Sequence, residues 1–184
     1  NPEVADALTA RGRAFTRVSI DAPEGCTVIT GANMGGKSVA LKTLSLNVLL
    51  CQAGFFALAE RAQTALFDQV HIVSEDLSDA ARGLSSFGAE VLHIERIVSA
   101  VKGGAYCFVA LDEPARGTNP REGAALVRAL VKAFGAQKAV AIVATHYDGV
   151  AGAAAARYQA AGLKGLPAAP PPEYAPDFVV HGAP

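Results

Sequence analysis

Gly31-Ala32-Asn33-Met34-Gly35-Gly36-Lys37-Ser38 fills every fixed position of the phosphate-loop pattern G-x-x-x-x-G-K-[ST]. The loop follows the apolar run Cys26-Thr27-Val28-Ile29-Thr30 and leads into Val39-Ala40-Leu41-Lys42-Thr43-Leu44, so a strand is expected before it and a helix after it. A glycine-rich turn that binds nothing is the bland alternative, and the full match in strand–helix context argues against it. Glycines at 31, 35 and 36 allow backbone N–H groups to turn inward around a phosphate. The helix beginning near Lys37 adds its positive N-terminal end. On this reading Lys37 reaches the β- and γ-phosphates of a bound nucleotide, and the Ser38 hydroxyl is a Mg2+ ligand.

Moving outward, Ala105-Tyr106-Cys107-Phe108-Val109-Ala110-Leu111 is apolar throughout, as a buried parallel strand should be, and ends in Asp112-Glu113. Open α/β sheets bind ligands at the C-terminal edges of their strands, which is where these two carboxylates fall. Asp112 is expected to hold Mg2+ through its coordination shell, and Glu113 to polarise an attacking water. Ala139-Val140-Ala141-Ile142-Val143-Ala144 reads as another buried strand, ending in Thr145-His146. His146 is placed to sense a γ-phosphate by hydrogen bonding, although a lone loop histidine would be unremarkable.

The remaining segments fill in an alternating pattern. A strand is expected over Phe15-Thr16-Arg17-Val18-Ser19-Ile20 and another over Phe67-Asp68-Gln69-Val70-His71-Ile72-Val73. Helices are expected over 37–52, from Leu84 to the Gly103-Gly104 stop, and from Pro120 to about Phe134. From Tyr147 the Ala-rich chain reads as helix to about Ala161, and Phe178-Val179-Val180 as one last strand. Such alternation points to an α/β fold, a mostly parallel central sheet with helices on both faces. Residues 1–166 are expected to form the domain, and the Pro/Ala-rich stretch 167–184 a tail or the start of a following segment.

The chain has 184 residues, 51% hydrophobic and 18% charged, which suits a well-buried domain. Its net charge of −1 gives no global attraction to nucleic acid or to an anionic membrane. The uncharged run from Thr43 to Ala59, about 17 residues, sits at the lower edge of a membrane span and is broken by Gln52 and Gly54, so a buried helix explains it better. Cys26, Cys51 and Cys107 lie in apolar runs without C-x-x-C spacing and read as reduced core thiols of a cytoplasmic protein. The chain opens on Asn1, and its one methionine is Met34, so an excised piece of a longer protein is expected.

Taken together, these motifs resemble those of MutS-type ATPases. Thr30-Gly31-Ala32-Asn33-Met34-Gly35-Gly36-Lys37-Ser38 is similar to the family's T-G-P-N-M-G-G-K-S, with Ala32 in place of proline. Leu84-Ser85-Ser86-Phe87 with Glu90 resembles S-T-F-x-x-E. Asp112-Glu113-Pro114-Ala115-Arg116-Gly117-Thr118-Asn119 resembles D-E-x-x-R-G-T-S, and Ala144-Thr145-His146-Tyr147 matches A-T-H-Y. The resemblance implies an ABC-like P-loop NTPase fold that binds ATP/ADP and Mg2+ and works as a homodimer with composite sites. It implies nucleotide contacts from Gly31 through Val39, and catalytic roles for Lys37, Glu113 and His146. Ser85, at a helix start, would face the γ-phosphate held by the other protomer, although a simple helix cap would suit it equally. Phe15 falls where the family sets a ring against adenine; a strand phenylalanine also suits the core.

The departures bear on function. Gly54-Phe55-Phe56-Ala57-Leu58-Ala59 lacks the proline of the family's bend, Pro114-Ala115 replaces Ile-Gly, and Asn119-Pro120 replaces Ser-Thr. Regions resembling the mismatch-reading, clamp and lever parts, or a dimer-locking helix-turn-helix end, are not recognisable. Two readings follow. One is a mismatch-repair-like ATPase whose DNA contacts lie in segments missing from this chain. The other is the ATPase of a MutS-like reactivation chaperone for a cobalamin-dependent aminomutase, which the neutral charge and the departures favour weakly. A nucleotide-binding dimerisation module that hydrolyses little ATP is a third, and Glu113 argues against it.

Overall fold

The computed structural model describes residues 6–7, 10–11, 18–31, 35–74, 86–160 and 180–182. In chain order these give β1 (Gly25–Gly31), α1 (Lys37–Gln52), β2 (Gln69–Val73), α2 (Ser86–Lys102), β3 (Cys107–Asp112), α3 (Pro120–Gly135), β4 (Val140–Ala144), a short helical turn (Ala151–Ala153), β5 (Ala156–Ala160) and β6 (Val180–Gly182). The strands form one sheet in the order β2-β3-β4-β1-β5-β6. All pairs are parallel except β5 with β6, so the sheet has five parallel strands and one antiparallel edge strand.

The period-2 alternation of the strands sorts the core into two layers. Cys26, Val28, Val109, Leu111, Ala141 and Val143 face α2 and α3, where they meet Ile94, Ile97, Val127, Val131 and Phe134. Ile29, Phe108, Ala110, Ile142 and Ala144 face the other way, against Leu41 and Val48 of α1. Helices therefore cover both faces, as expected for strands with no polar side. Each fully buried Val, Leu, Ile or Phe contributes roughly 2 kcal/mol of apolar transfer free energy, so removing either layer would strand the sheet.

Local chemistry explains the ends of the helices. α3 starts at Pro120, whose missing N–H costs nothing in a first turn, and the Asn119 side chain accepts a hydrogen bond from the Arg121 N–H at 2.9 Å. α2 stops at Gly103-Gly104, where Gly104 has φ 94 and the Gly103 N–H donates to the Ser99 carbonyl at 2.9 Å. α1 starts from Gly36 in the left-handed conformation, with no side-chain cap among the described residues. The N–H groups of its first turn thus have no acceptor within the helix.

Several expectations need correction. The Ala-rich stretch after Tyr147 is not a helix: it makes the short turn at Ala151–Ala153 and then β5, which pairs with β1 along Thr27–Gly31. Alanine propensity is a weak prior, and here the open edge of β1 outweighs it, because an unpaired row of backbone groups takes a neighbouring strand. Gly149, with φ 67, breaks any helix early, and Tyr158 packs into the α1-side core while its hydroxyl bonds the backbone of Asp21. Of the strand expected over 15–20, residues 18–20 have no regular structure and the rest lies outside the described residues. The last strand lies at Val180–Gly182, with 178 and 179 outside the described residues. Cys26 and Cys107 are buried, whereas Cys51 is half-exposed rather than core; all three are free thiols. Among the described residues, no helix is long and apolar enough to cross a membrane.

Candidate active site

The sheet order leaves β4 between β1 and β3, so the ends of three strands meet at one edge. Two hydrogen bonds extend the ladders past those ends. The Thr145 N–H donates to the Ile29 carbonyl at 2.9 Å, and the Glu113 N–H donates to the Ala144 carbonyl at 2.9 Å. They register Thr145-His146 beside the end of β1 and Glu113 beside the end of β4. Sequence-distant carboxylate, histidine and loop thus arrive at one place.

Lys37, in the first turn of α1, is buried, at 3% exposure. Its Nζ donates to the Gly31 carbonyl at 2.8 Å and pairs with Glu113 Oε1 at 3.1 Å. A buried ammonium is costly unless paired and hydrogen-bonded, and these two partners supply that. The Ser38 hydroxyl donates to Asp112 Oδ1 at 2.9 Å. Burial is the main cause pushing the Asp112 carboxyl above its usual range. Glu113 adds to the rise, and the Ser38 hydrogen bond, Lys42 and Lys37 oppose it. His146 Nδ1 contacts Glu113 Oε2, so the carboxylate of Glu113 is held on one oxygen by the lysine and on the other by the histidine.

The backbone here is unusual. Glu113 has φ 51 and Ala115 φ 65, the non-glycine residues with positive φ among those described. Each such placement costs an L-residue roughly 1–2 kcal/mol and persists only where surrounding contacts enforce it. The Ala115 N–H donates to Glu90 Oε1 at 3.2 Å, and the Ala115 carbonyl accepts from the Tyr147 hydroxyl at 3.1 Å. A Cβ on Gly123 would stand 2.3 Å from the Tyr147 hydroxyl oxygen, so glycine at 123 is what admits that ring. Burial and the charges of Glu113 and Glu90 push the Tyr147 hydroxyl up, keeping it a donor at neutral pH.

Of the residues singled out by sequence, Gly31, Lys37, Ser38, Asp112, Glu113 and His146 converge. Gly35 and Gly36 lead into α1, and Val39 lies in its first turn with an exposed side chain. Ala32, Asn33, Met34, Ser85 and Phe15 lie outside the described residues. Sequence reading did not give Tyr147 a role, and it passed over Gly123; no local pattern links them, since the ring meets a helix glycine 24 positions earlier. The Ser38 hydroxyl and an Asp112 carboxylate oxygen, in contact with each other, are hard oxygen donors of the kind that suits a cation such as Mg2+.

Five parallel strands and an antiparallel edge strand, covered by helices on both faces, give an α/β protein of the P-loop NTPase type. Within that class the chain belongs to the MutS family: the family model described as MutS domain V matches residues 27–164. Similar curated proteins include endonuclease MutS2 of Symbiobacterium thermophilum, 40% identical over 136 residues, or 71% of this chain and 17% of that protein. Endonuclease MutS2 of Thermomicrobium roseum is 42% identical over 122 residues, 65% of this chain and 15% of that protein. Endonuclease MutS2 of an Anaeromyxobacter species is 33% identical over 134 residues, 72% of this chain and 16% of that protein. The chain thus spans about a sixth of the length of these relatives.

Proposed function

We propose that this chain is the ATP-binding and ATP-hydrolysing domain of a MutS2-like, DNA-processing protein, working as a nucleotide-driven switch between two copies. The observation that carries the proposal is the meeting of Lys37, Ser38, Asp112, Glu113 and His146 at one sheet edge. In the proposed reaction Lys37 exchanges the Gly31 carbonyl and Glu113 for the β- and γ-phosphates. Backbone N–H groups from Gly31 to Val39 cradle the phosphates at the start of α1. Ser38 and Asp112 would hold Mg2+, which would supply positive charge beside the phosphate oxygens. Glu113 orients a water toward the γ-phosphorus; the bond from that phosphorus to the bridging oxygen breaks, and the electron pair leaves with ADP. The water's protons end on inorganic phosphate and solvent. His146 bonds the γ-phosphate while keeping Glu113 aimed. Ser85 from the second copy and Phe15 against adenine are assigned on the family resemblance alone.

The reported relatives favour the DNA-processing reading over aminomutase reactivation. We assign no phosphodiester chemistry to this chain, because the endonuclease name belongs to proteins of which it spans 17% or less. Glu113→Gln tests the catalytic assignment. Turnover should fall by about 100-fold or more while affinity for ATP stays close to wild type, since the change removes the water-orienting charge and leaves the phosphate loop intact. Wild-type turnover in that variant would sink the reading.

A further inference from the structure

We propose that Tyr147 and Glu90 are positioning residues for the hydrolytic step: Glu90 ties down the N–H of Ala115 and Tyr147 its carbonyl, a clamp on the two peptide groups flanking that residue, and so they hold the left-handed Glu113 with its carboxylate aimed. The inference rests on the reading of Glu113 as the group that orients water. It starts from the backbone, because Glu113 and Ala115 both have positive φ, a conformation that side-chain-bearing residues leave unless it is enforced. Among the described residues, the enforcing contacts come from separate elements. Glu90 on α2 accepts from the Ala115 N–H, the Tyr147 hydroxyl donates to the Ala115 carbonyl, and the Thr118 N–H also points to that carbonyl, at 3.4 Å. Ala115 itself is fully buried, so a peptide group freed from these partners would have no water to replace them.

The clamp joins two parts of the site. Tyr147 follows His146 in the chain, and the two rings lie 4.4 Å apart, so a shift of one is felt by the other. On the other side, the loop after Glu113 rests on the first turn of α2. A Cβ on Gly117 would stand 3.1 Å from the Phe87 Cβ, which leaves no slack between loop and helix. The Tyr147 hydroxyl reaches Ala115 only over Gly123, so the ring, the glycine and the bent peptide form one fitted unit. Glu113 lies two residues before the clamped peptide with Pro114 between, a link of fixed φ that passes the restraint along.

Tyr147→Phe keeps the ring and deletes one hydrogen bond; Glu90→Ala deletes the other, and Glu90→Gln keeps an acceptor oxygen in its place. In ATP turnover with Mg2+, Tyr147→Phe and Glu90→Ala should lower kcat about tenfold or more, because a small misplacement of a reacting group is costly. Affinity for a fluorescent ATP analogue should stay within about twofold, and Glu90→Gln should restore kcat to within about threefold of wild type. Amide hydrogen exchange, read without nucleotide, should speed up at Glu113 and Thr118 in Tyr147→Phe. Unchanged kcat in Tyr147→Phe, or a fall in nucleotide affinity that parallels the fall in kcat, would overturn the positioning role. Unchanged exchange at Glu113 would overturn the clamp itself. A wild-type chain that binds ATP without hydrolysing it, while the variant's exchange is faster, would instead overturn the functional reading and leave the clamp as structure.

Discussion

At the scale of single residues, Glu90 shows how a carboxylate can serve geometry at the expense of stability. Burial raises its pKa above the ordinary 4.5, and the hydrogen bond from the Ala115 N–H opposes the rise. Because the folded-state pKa lies above the unfolded one, the favourable contribution is complete below about pH 4.5 and is lost as pH climbs through the raised value. Glu90→Gln keeps an acceptor for the N–H and carries no charge to desolvate. The variant should match wild type in denaturant midpoint near pH 4 and exceed it at pH 7, with the gap opening between. A gap of constant size across that range would remove burial of charge as the cause. The meeting of Lys37, Ser38, Asp112, Glu113 and His146 at one place was readable from motif and order, since each lies at or soon after a strand end. The clamp was not, because its bonds to Ala115 span 25 and 32 residues and belong to no local pattern. Position 115 is informative in hindsight. The resembling motif has glycine there, and alanine in this chain has φ 65 with both its N–H and its carbonyl hydrogen-bonded.

At the scale of elements, the contrast between β3 and β5 explains what a sequence can and cannot announce. β3 and β4 are buried on both faces and so read as continuous apolar runs flanked by polar turns. β5 is a partly exposed strand of composition Ala-Arg-Tyr-Gln-Ala, and its identity depends on the neighbour that needs it. The join between β1 and β5 carries its own test. Gly31 pairs with Ala160 and has φ 134, and a Cβ there would stand 2.5 Å from the Ala160 carbonyl oxygen. Gly54 also has positive φ, 79, yet a Cβ added there meets nothing within 4 Å. Gly54→Ala should therefore cost only the conformational penalty, about 1 kcal/mol. Gly31→Ala adds a backbone clash and should cost roughly 2–4 kcal/mol, lowering Tm by several degrees more than Gly54→Ala. Equal shifts in thermal unfolding would mean that β5 can move aside without loss, and that its pairing contributes little to the sheet.

At the scale of the whole molecule, the arrangement raises the question of how many copies make a working site. Lys37, Ser38, Asp112, Glu113 and His146 meet at one sheet edge, while Arg116 and Gly117 are exposed just beyond it, next to the first turn of α2. The family resemblance puts Ser85, immediately before α2, against a nucleotide bound by a second copy. An exposed rim beside a buried cluster of charges is how an isologous interface would meet such a site, each copy lending the other its helix start. If hydrolysis needs that second copy, turnover per chain depends on the fraction dimerised, which mass action makes proportional to protein concentration while monomer dominates. Specific ATPase activity should then rise about tenfold for each tenfold rise in concentration at the dilute end, and level off once dimer predominates. Mixing Lys37→Ala chains, which keep their own α2 but lose the phosphate ligand, with a trace of wild type should restore activity to the wild-type sites. Mixing in Ser85→Ala chains instead should restore much less, because each wild-type site would then face a partner without the hydroxyl. A specific activity flat across concentrations would show that one chain suffices, and Ser85 would keep only its alternative role as a helix cap.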